Sequence, residues 1–407
     1  MSGGNHRTAI AIAAVAIMLA CSVAVCFAVA EKDKSKGFVI PDGLPEYTMT
    51  GETDLTGNFF VSFVYTKNII MFDGKGNIVW AKHEDQPDGA NTGFWDFKKH
   101  VIDGKTYYSY HDQDGSKDKY GLAGYAPGER VILDSNFNEV KRITFEQSDI
   151  VDKGHPLDGH DFLLIDLNHY IMSGYIKDRV YNIPGYETEG SEVIYSYLQE
   201  VKDGEKIWDW RSVDYPEIYS LVVEDANPDA DDFANVKGAP DYIHFNAMRL
   251  NDDGDLVCSF RHLNTILCLD RTKQTEQIKW KLSGNGDDFG IPDDQKTSSQ
   301  HYVTVDGGTV NAFDNHNITG RTRVCTYKVD MDNTELLEFH EYRIDGKFSS
   351  ACGSAQRIHD DVFMLGWGKA ENDNVCMCVY DFAEQKELIT MRLANPNNFT
   401  YRCVYYE

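Results

Sequence analysis

A hairpin pattern recurs along this chain. An apolar strand ends near an acidic residue, a polar turn follows, and a second strand often closes on Trp or another large apolar residue. Copies run from Phe72-Asp73 to Trp80, Leu133-Asp134 to Phe145, Gln199-Glu200 to Trp208, Leu269-Asp270 to Trp280, Val329-Asp330 to Phe339 and Tyr380-Asp381 to Leu388. The acidic positions 73, 134, 200, 270, 330 and 381 are 51 to 70 residues apart, enough for a four-stranded sheet and its loops. A sandwich of unrelated hairpins also contains strand signals. Six regularly spaced copies instead predict an all-β, six-bladed β-propeller, whose closure protects strand edges. Trp80, Trp208, Trp210 and Trp280 are then expected in blade cores. Asp225 to Asp241 reads as an insertion, and Asp252-Asp253-Gly254-Asp255 as a turn between strands.

Charge narrows the function. Of 407 residues, 65 are Asp or Glu and 39 Lys or Arg, a net charge of -26. A nucleic-acid surface needs clustered cations, so no nucleic-acid partner is expected. The 22 residues Ala9 to Ala30 carry no charge, follow Arg7 and end in Ala28-Val29-Ala30. A cleaved signal peptide and an uncleaved membrane anchor both fit, and a lipoprotein site at Cys21 fits less well. Each places the rest of the chain outside the cytoplasm. The expected organisation is residues 1–30 as signal or anchor, 31–55 as lead-in and 56–407 as the propeller.

Seven cysteines follow the apolar segment, without a CxxC pair or a Cys/His finger, so no structural zinc site is expected. Cys258 and Cys268 flank Ser259 to Leu267, and a hairpin centred on Leu263 would set them opposite one another. Cys376 and Cys378 are two apart on one strand, which places them on one face as packing residues. Asp225, Asn227, Asp229 and Asp231 alternate as calcium ligands do, but the loop lacks the expected glycine and also reads as a solvated acidic stretch.

In a propeller, inner-strand ends converge on a central funnel. Three histidines stand near such starts. His160 opens His160-Asp161-Phe162-Leu163-Leu164-Ile165. His244 lies in Asp241-Tyr242-Ile243-His244-Phe245-Asn246. His301 lies in Ser299-Gln300-His301-Tyr302. Arg261 follows the strand Leu256 to Phe260. A single histidine among 13 is more often a surface or packed residue. Three at comparable places suggest a site.

These blocks, with Ser259-Phe260-Arg261-His262, Ile278-Lys279-Trp280, Phe313-Asp314-Asn315 and Tyr401-Arg402, resemble the PAPS-independent bacterial aryl-sulfate sulfotransferases from about residue 155 to the C-terminus. The resemblance implies a six-bladed propeller that moves a sulfuryl group from an aryl sulfate donor to a phenolic acceptor through a sulfated histidine, with no cofactor or metal. It implies His301 as the nucleophile and His244 and Arg261 as groups holding the sulfuryl oxygens. His160 corresponds to the fourth active-site residue, with His155 as its competitor. Two departures stand out: Tyr242 replaces a common Trp, and residues 283–300 lack the cysteine pair some members carry. A non-catalytic binding propeller and a propeller hydrolase or lyase remain open alternatives.

Overall fold

The computed structural model describes residues 38–87, 90, 92–115, 124–223, 240–371 and 373–407. The chain is mostly β. Its strands follow one another as antiparallel meanders of four, each ordered from an inner first strand to an outer fourth. The second meander runs from Phe94–Ile102 to Glu139–Ile143, the third from Phe162–Asp166 to Glu205–Arg211 and the fourth from Phe245–Leu250 to Ile278–Leu282. The fifth runs from His301–Asp306 to Glu335–Tyr342, and the sixth from Ser354–His359 to Lys386–Leu393. The first meander is composite. Asn58–Phe63, Asn68–Asp73 and Ile78–His83 take their innermost strand, Thr400–Tyr406, from the far end of the sequence. The innermost strands neighbour one another in cyclic order, and Thr400–Tyr406 lies between Ser354–His359 and Phe94–Ile102.

Burial is greatest in the middle strands of the meanders. Asn58–Phe63 and Leu256–Phe260 bury both faces, because a neighbouring meander covers each side. Such strands read as continuous apolar runs. The outermost strand Glu335–Tyr342 is largely exposed, with only every third or fourth residue half-buried. Trp208, Trp210 and Trp280 are buried, as expected for core positions. Trp80 is half-buried and stacks on Phe137 at 4.2 Å and 8°.

The recurring acidic residue has a local cause. It ends the third strand, and its carboxylate caps the turn into the fourth. Asp73 Oδ1 accepts the N–H groups of Lys75 and Asn77, both at 2.9 Å. Asp134 does the same for Asn136 and Asn138, Asp330 for Asp332 and Asn333, and Asp381 for Ala383 and Glu384. Such side-chain-to-backbone bonds favour a turn over continued strand. Glu200 is the exception. Its turn is Asp203-Gly204, both residues at positive φ, as a tight hairpin turn requires. Glu200 instead lies buried in its strand, with Arg271 Nε at 2.9 Å and His169 Nε2 at 2.6 Å.

Three expectations need amendment. Cys258 and Cys268 do not face each other: Cys258 pairs with Leu267 and Val257 with Cys268. The connection Arg261 to Asn264 has four residues, so the hairpin cannot centre on Leu263. That one-residue difference sends the thiols to opposite faces, and both are free. Cys376 and Cys378 also pack into different clusters. A bulge between Val375 and Met377 breaks the alternation that would have kept them on one face. Within the lead-in, Tyr47–Gly51 is a strand that extends the sixth meander beside Lys386–Leu393. The turn expected at Asp252 to Asp255 is present, capped by the Asn251 side chain.

The apolar segment 9–30 and the loop Asp225 to Asp231 lie outside the described residues. Among the described residues no helix is long and apolar enough to cross a membrane.

Candidate active site

Bulges shape the inner-strand ends. Register shifts occur between Trp95 and Lys98, Phe245 and Ala247, and His301 and Val303. Asp96, His244 and Tyr302 have φ near +50°. Left-handed backbone at non-glycine residues is costly and is retained where surrounding structure enforces it. These bulges re-aim side chains from the strand ends into one cavity of 840 Å³. His160, His244, Arg261 and His301 all line it. His155 does not; it packs beside Phe145, with ring centroids 6.1 Å apart.

The three histidines are buried and differ in their partners. His160 Nδ1 meets the Asp158 carboxylate. His244 Nδ1 lies 2.5 Å from Asp241 Oδ2. His301 Nδ1 lies 2.7 Å from Asn315 Oδ1, a neutral amide oxygen. The orientation of Asn315 is fixed, because its Nδ2 donates to Ser349 O at 2.9 Å and Cys352 O at 3.0 Å. Its oxygen can only accept, so His301 carries its proton on Nδ1. The Nε2 lone pair then receives the long N–H bond of Cys352, at 3.3 Å. Cys352 has φ +60° and precedes Gly353 at φ +106°. A side chain at Gly353 would meet the Phe313 ring at 2.3 Å.

Electrostatics separates the same groups. Burial, followed by the Arg261 charge, holds the His301 imidazolium pKa well below the usual value, so the ring is neutral at pH 7. Burial also lowers His244, against the opposing effect of Asp241. Burial works to raise the Asp241 carboxyl, but the His244 charge and hydrogen bond outweigh it and keep Asp241 ionised. His262 is pushed down to about 3, chiefly by burial. His262 stacks on His244 at 4.7 Å and 25°, and its Nδ1 donates to Asp241 O at 2.6 Å.

A buried ion cluster adjoins the histidines through Asp161 and Arg402. Arg402 lies 2.8 Å from Asp96 and 3.1 Å from Asp161. Lys98 contacts both carboxylates, Arg249 reaches Asp161 at 2.9 Å, and Arg130 reaches Asp96. Four cations therefore meet two carboxylates. Burial brings Lys98 down to about 8 in spite of those carboxylates. Tyr401 links the cluster to the site: its single hydroxyl hydrogen lies between two acceptors, His160 O at 2.9 Å and Asn246 O at 3.0 Å from the oxygen. Asn246 Nδ2 continues to Gln300 O at 2.7 Å, beside His301.

Sequence reasoning brought the four candidates together but missed their partners and the cavity wall. Asp241 and Asn315 stood inside quoted blocks without roles, and Asp158 precedes His160 by two residues. Nothing local marked Trp95, Tyr65, Phe399, Cys352 or Lys369, which also line the cavity. They arrive from other meanders or from loops between strands.

The buried neutral histidines make stability depend on pH. Burial holds His111 at about 4, His262 at about 3 and His301 well below its ordinary value. In the unfolded chain each takes a proton near pH 6.5, whereas the folded state refuses it. Above that pH neither state is charged and stability is unaffected. Below it the unfolded state gains protons, and each group removes about 1.4 kcal/mol per pH unit until its folded pKa is reached. The melting temperature should fall steadily from pH 7 to pH 5. A flat profile across that range would show these rings are not held neutral.

A family described as "Arylsulfotransferase (ASST)" matches residues 115–371, more than half of the chain. No curated protein matches it. Solved structures similar to it include a protein of unknown function from Bacteroides caccae, at 8% identity, covering 87% of this chain and 100% of that one, with a TM-score of 0.45. The Dos1 propeller is 8% identical over 82% of this chain and 65% of that one, with a TM-score of 0.37. A streptogramin B lyase is 9% identical over 86% and 88%, with a TM-score of 0.38.

Proposed function

This chain belongs to the arylsulfotransferase family, and we propose that it transfers a sulfuryl group from an aryl sulfate to a phenol by way of a sulfated His301, without PAPS. One observation carries the assignment: of the three candidate histidines, His160, His244 and His301, only His301 has a side-chain amide rather than a carboxylate on Nδ1, while His262, the fourth histidine in the cavity, is tied to the Asp241 backbone oxygen and stacks on His244. A carboxylate on Nδ1 stabilises a proton taken up by the ring and so suits a proton carrier, as Asp241 does for His244 against the effect of burial. An amide does not, and the neutral ring keeps its Nε2 lone pair for attack.

In the first displacement, His301 Nε2 forms an N–S bond as the S–O bond to the aryl group breaks. The aryl group departs as the phenolate and takes its proton from solvent. In the second, the acceptor phenol gives its proton to one of the two Asp-backed imidazoles, His160 or His244, while its oxygen attacks sulfur and the N–S bond breaks; that imidazole then returns the proton to solvent. Arg261 offers a fixed fork of donors to the sulfuryl oxygens. The cation-rich ion cluster adds positive potential suited to an anionic donor. Catalysis of this kind is positioning plus charge stabilisation, as in phosphoryl transfer.

The six meanders act as six blades of one propeller, a reading supported by the cyclic order of their inner strands. The apolar stretch 9–30 supports an extracytoplasmic location. The direct test is incubation with 4-nitrophenyl sulfate and phenol in the absence of PAPS. Nitrophenolate release that depends on phenol and yields phenyl sulfate is expected. No release from folded protein overturns the proposal, and release that yields only free sulfate points to a sulfatase.

A further inference from the structure

We infer that Asp241, His244 and His262 form a binding site for a borderline divalent cation such as zinc, and that its occupation inhibits the protein. The three are buried, and one ligand atom from each falls within 4.8 Å of the others. Asp241 is the hub: it receives Nδ1 of His244 at Oδ2 and Nδ1 of His262 at its backbone oxygen. The two rings stack with a centroid separation of 4.7 Å, so both present the same edge to Asp241. All three residues line the 840 Å³ cavity, which leaves room for a fourth ligand from solvent.

The donor set selects the metal. Two imidazoles and one carboxylate suit zinc and its neighbours in the first transition row, with the remaining position open to water. Calcium and magnesium prefer shells of oxygen. Ligands must be unprotonated at the binding atom. Binding at Nδ1 moves the proton that each ring donates to Asp241 over to Nε2, at the expense of those two hydrogen bonds.

The site would also interrupt function, a consequence that rests on the transfer reading above. Bound to a metal, His244 can no longer exchange a proton or aim at a sulfuryl oxygen. His262, which has no part in the proposed transfer steps, becomes the residue on which inhibition depends.

The test uses the whole protein stripped of metal by a chelator and desalted. Cobalt(II) is titrated in and followed by its visible absorption, and zinc is then added to displace it. Binding of one cobalt per chain with an intense tetrahedral spectrum, displaced by zinc, is the expected result. His262→Gln should weaken binding at least tenfold, while His340→Ala, on an exposed outer strand, should not. A stoichiometric excess of zinc should suppress nitrophenolate release in the original protein, and a chelator should restore it. A weak octahedral cobalt spectrum, or binding unchanged in a folded His262→Gln protein, overturns the site. If His262→Gln does not fold, the spectrum of the original protein still decides. The absorption readout needs no turnover, so failure of the site and failure of the transfer reading are separate results.

Discussion

His301→Ala is expected to abolish sulfuryl transfer, and donor alone should leave the unsubstituted protein heavier by one sulfuryl group on the peptide containing His301. Loss should be complete, because the route gives the attack to His301 alone: His160 and His244 have carboxylates on Nδ1, and His262 is tied to the Asp241 backbone and stacked on His244. His160 and His244 face their carboxylates and serve better as proton carriers than as nucleophiles. Splitting transfer into two displacements also means donor and acceptor need not be bound together, so the kinetics should be ping-pong. Intact mass after mixing with donor, followed by peptide mapping, is the measurement. Sulfation mapped to His160 or His244, or undiminished activity in His301→Ala, would assign the nucleophile elsewhere.

Arg261→Lys should lower kcat/KM by a factor on the order of 10²–10³, the scale for removing one preorganised donor aimed at developing charge. The side chain is placed by a short 3-10 turn, Arg261–Leu263, whose first N–H donates to His244 O at 2.9 Å. Lysine keeps the positive charge but loses the planar fork. A geometric role therefore predicts a large loss for lysine, only modestly less than for alanine. A purely electrostatic role predicts that lysine restores most of the activity. Steady-state rates for the two variants, with folding checked by thermal melting, distinguish these cases. His244→Ala should cost a similar factor, through loss of a group that donates to the reacting centre or takes the acceptor's proton.

The meander order was readable because five of the six third-to-fourth-strand hairpins carry their own chemistry, an acidic cap on a polar turn. The candidate histidines were readable because inner-strand starts recur at comparable places. Harder features depended on counting or on distance. The Cys258–Cys268 relation turned on whether a connection has an odd or even number of residues, which the composition of Arg261 to Asn264 does not announce. The bulge beside Cys376 is invisible to a rule of strict alternation. The ion cluster is less accessible still: Arg402 meets Asp96 across 306 residues, and no local pattern connects them. Asn315 lies 14 residues from His301 and became meaningful only when the adjacent strands brought its amide under the ring.

The strand Thr400–Tyr406 has a consequence for the order of assembly. It joins Asn58–Phe63 across some 340 residues, so the first sheet stays without its inner edge until nearly the whole chain is available. Contacts of such sequence separation are slow to form, because loop closure must precede any gain from pairing. The same strand carries Tyr401 and Arg402 to His160, Asn246 and Asp96. Closing the ring and completing the floor of the cavity are therefore one late event. A folding intermediate that lacks this strand holds its histidines without their scaffold, and activity should appear during refolding only with the slowest phase, not with the bulk of the β-sheet signal.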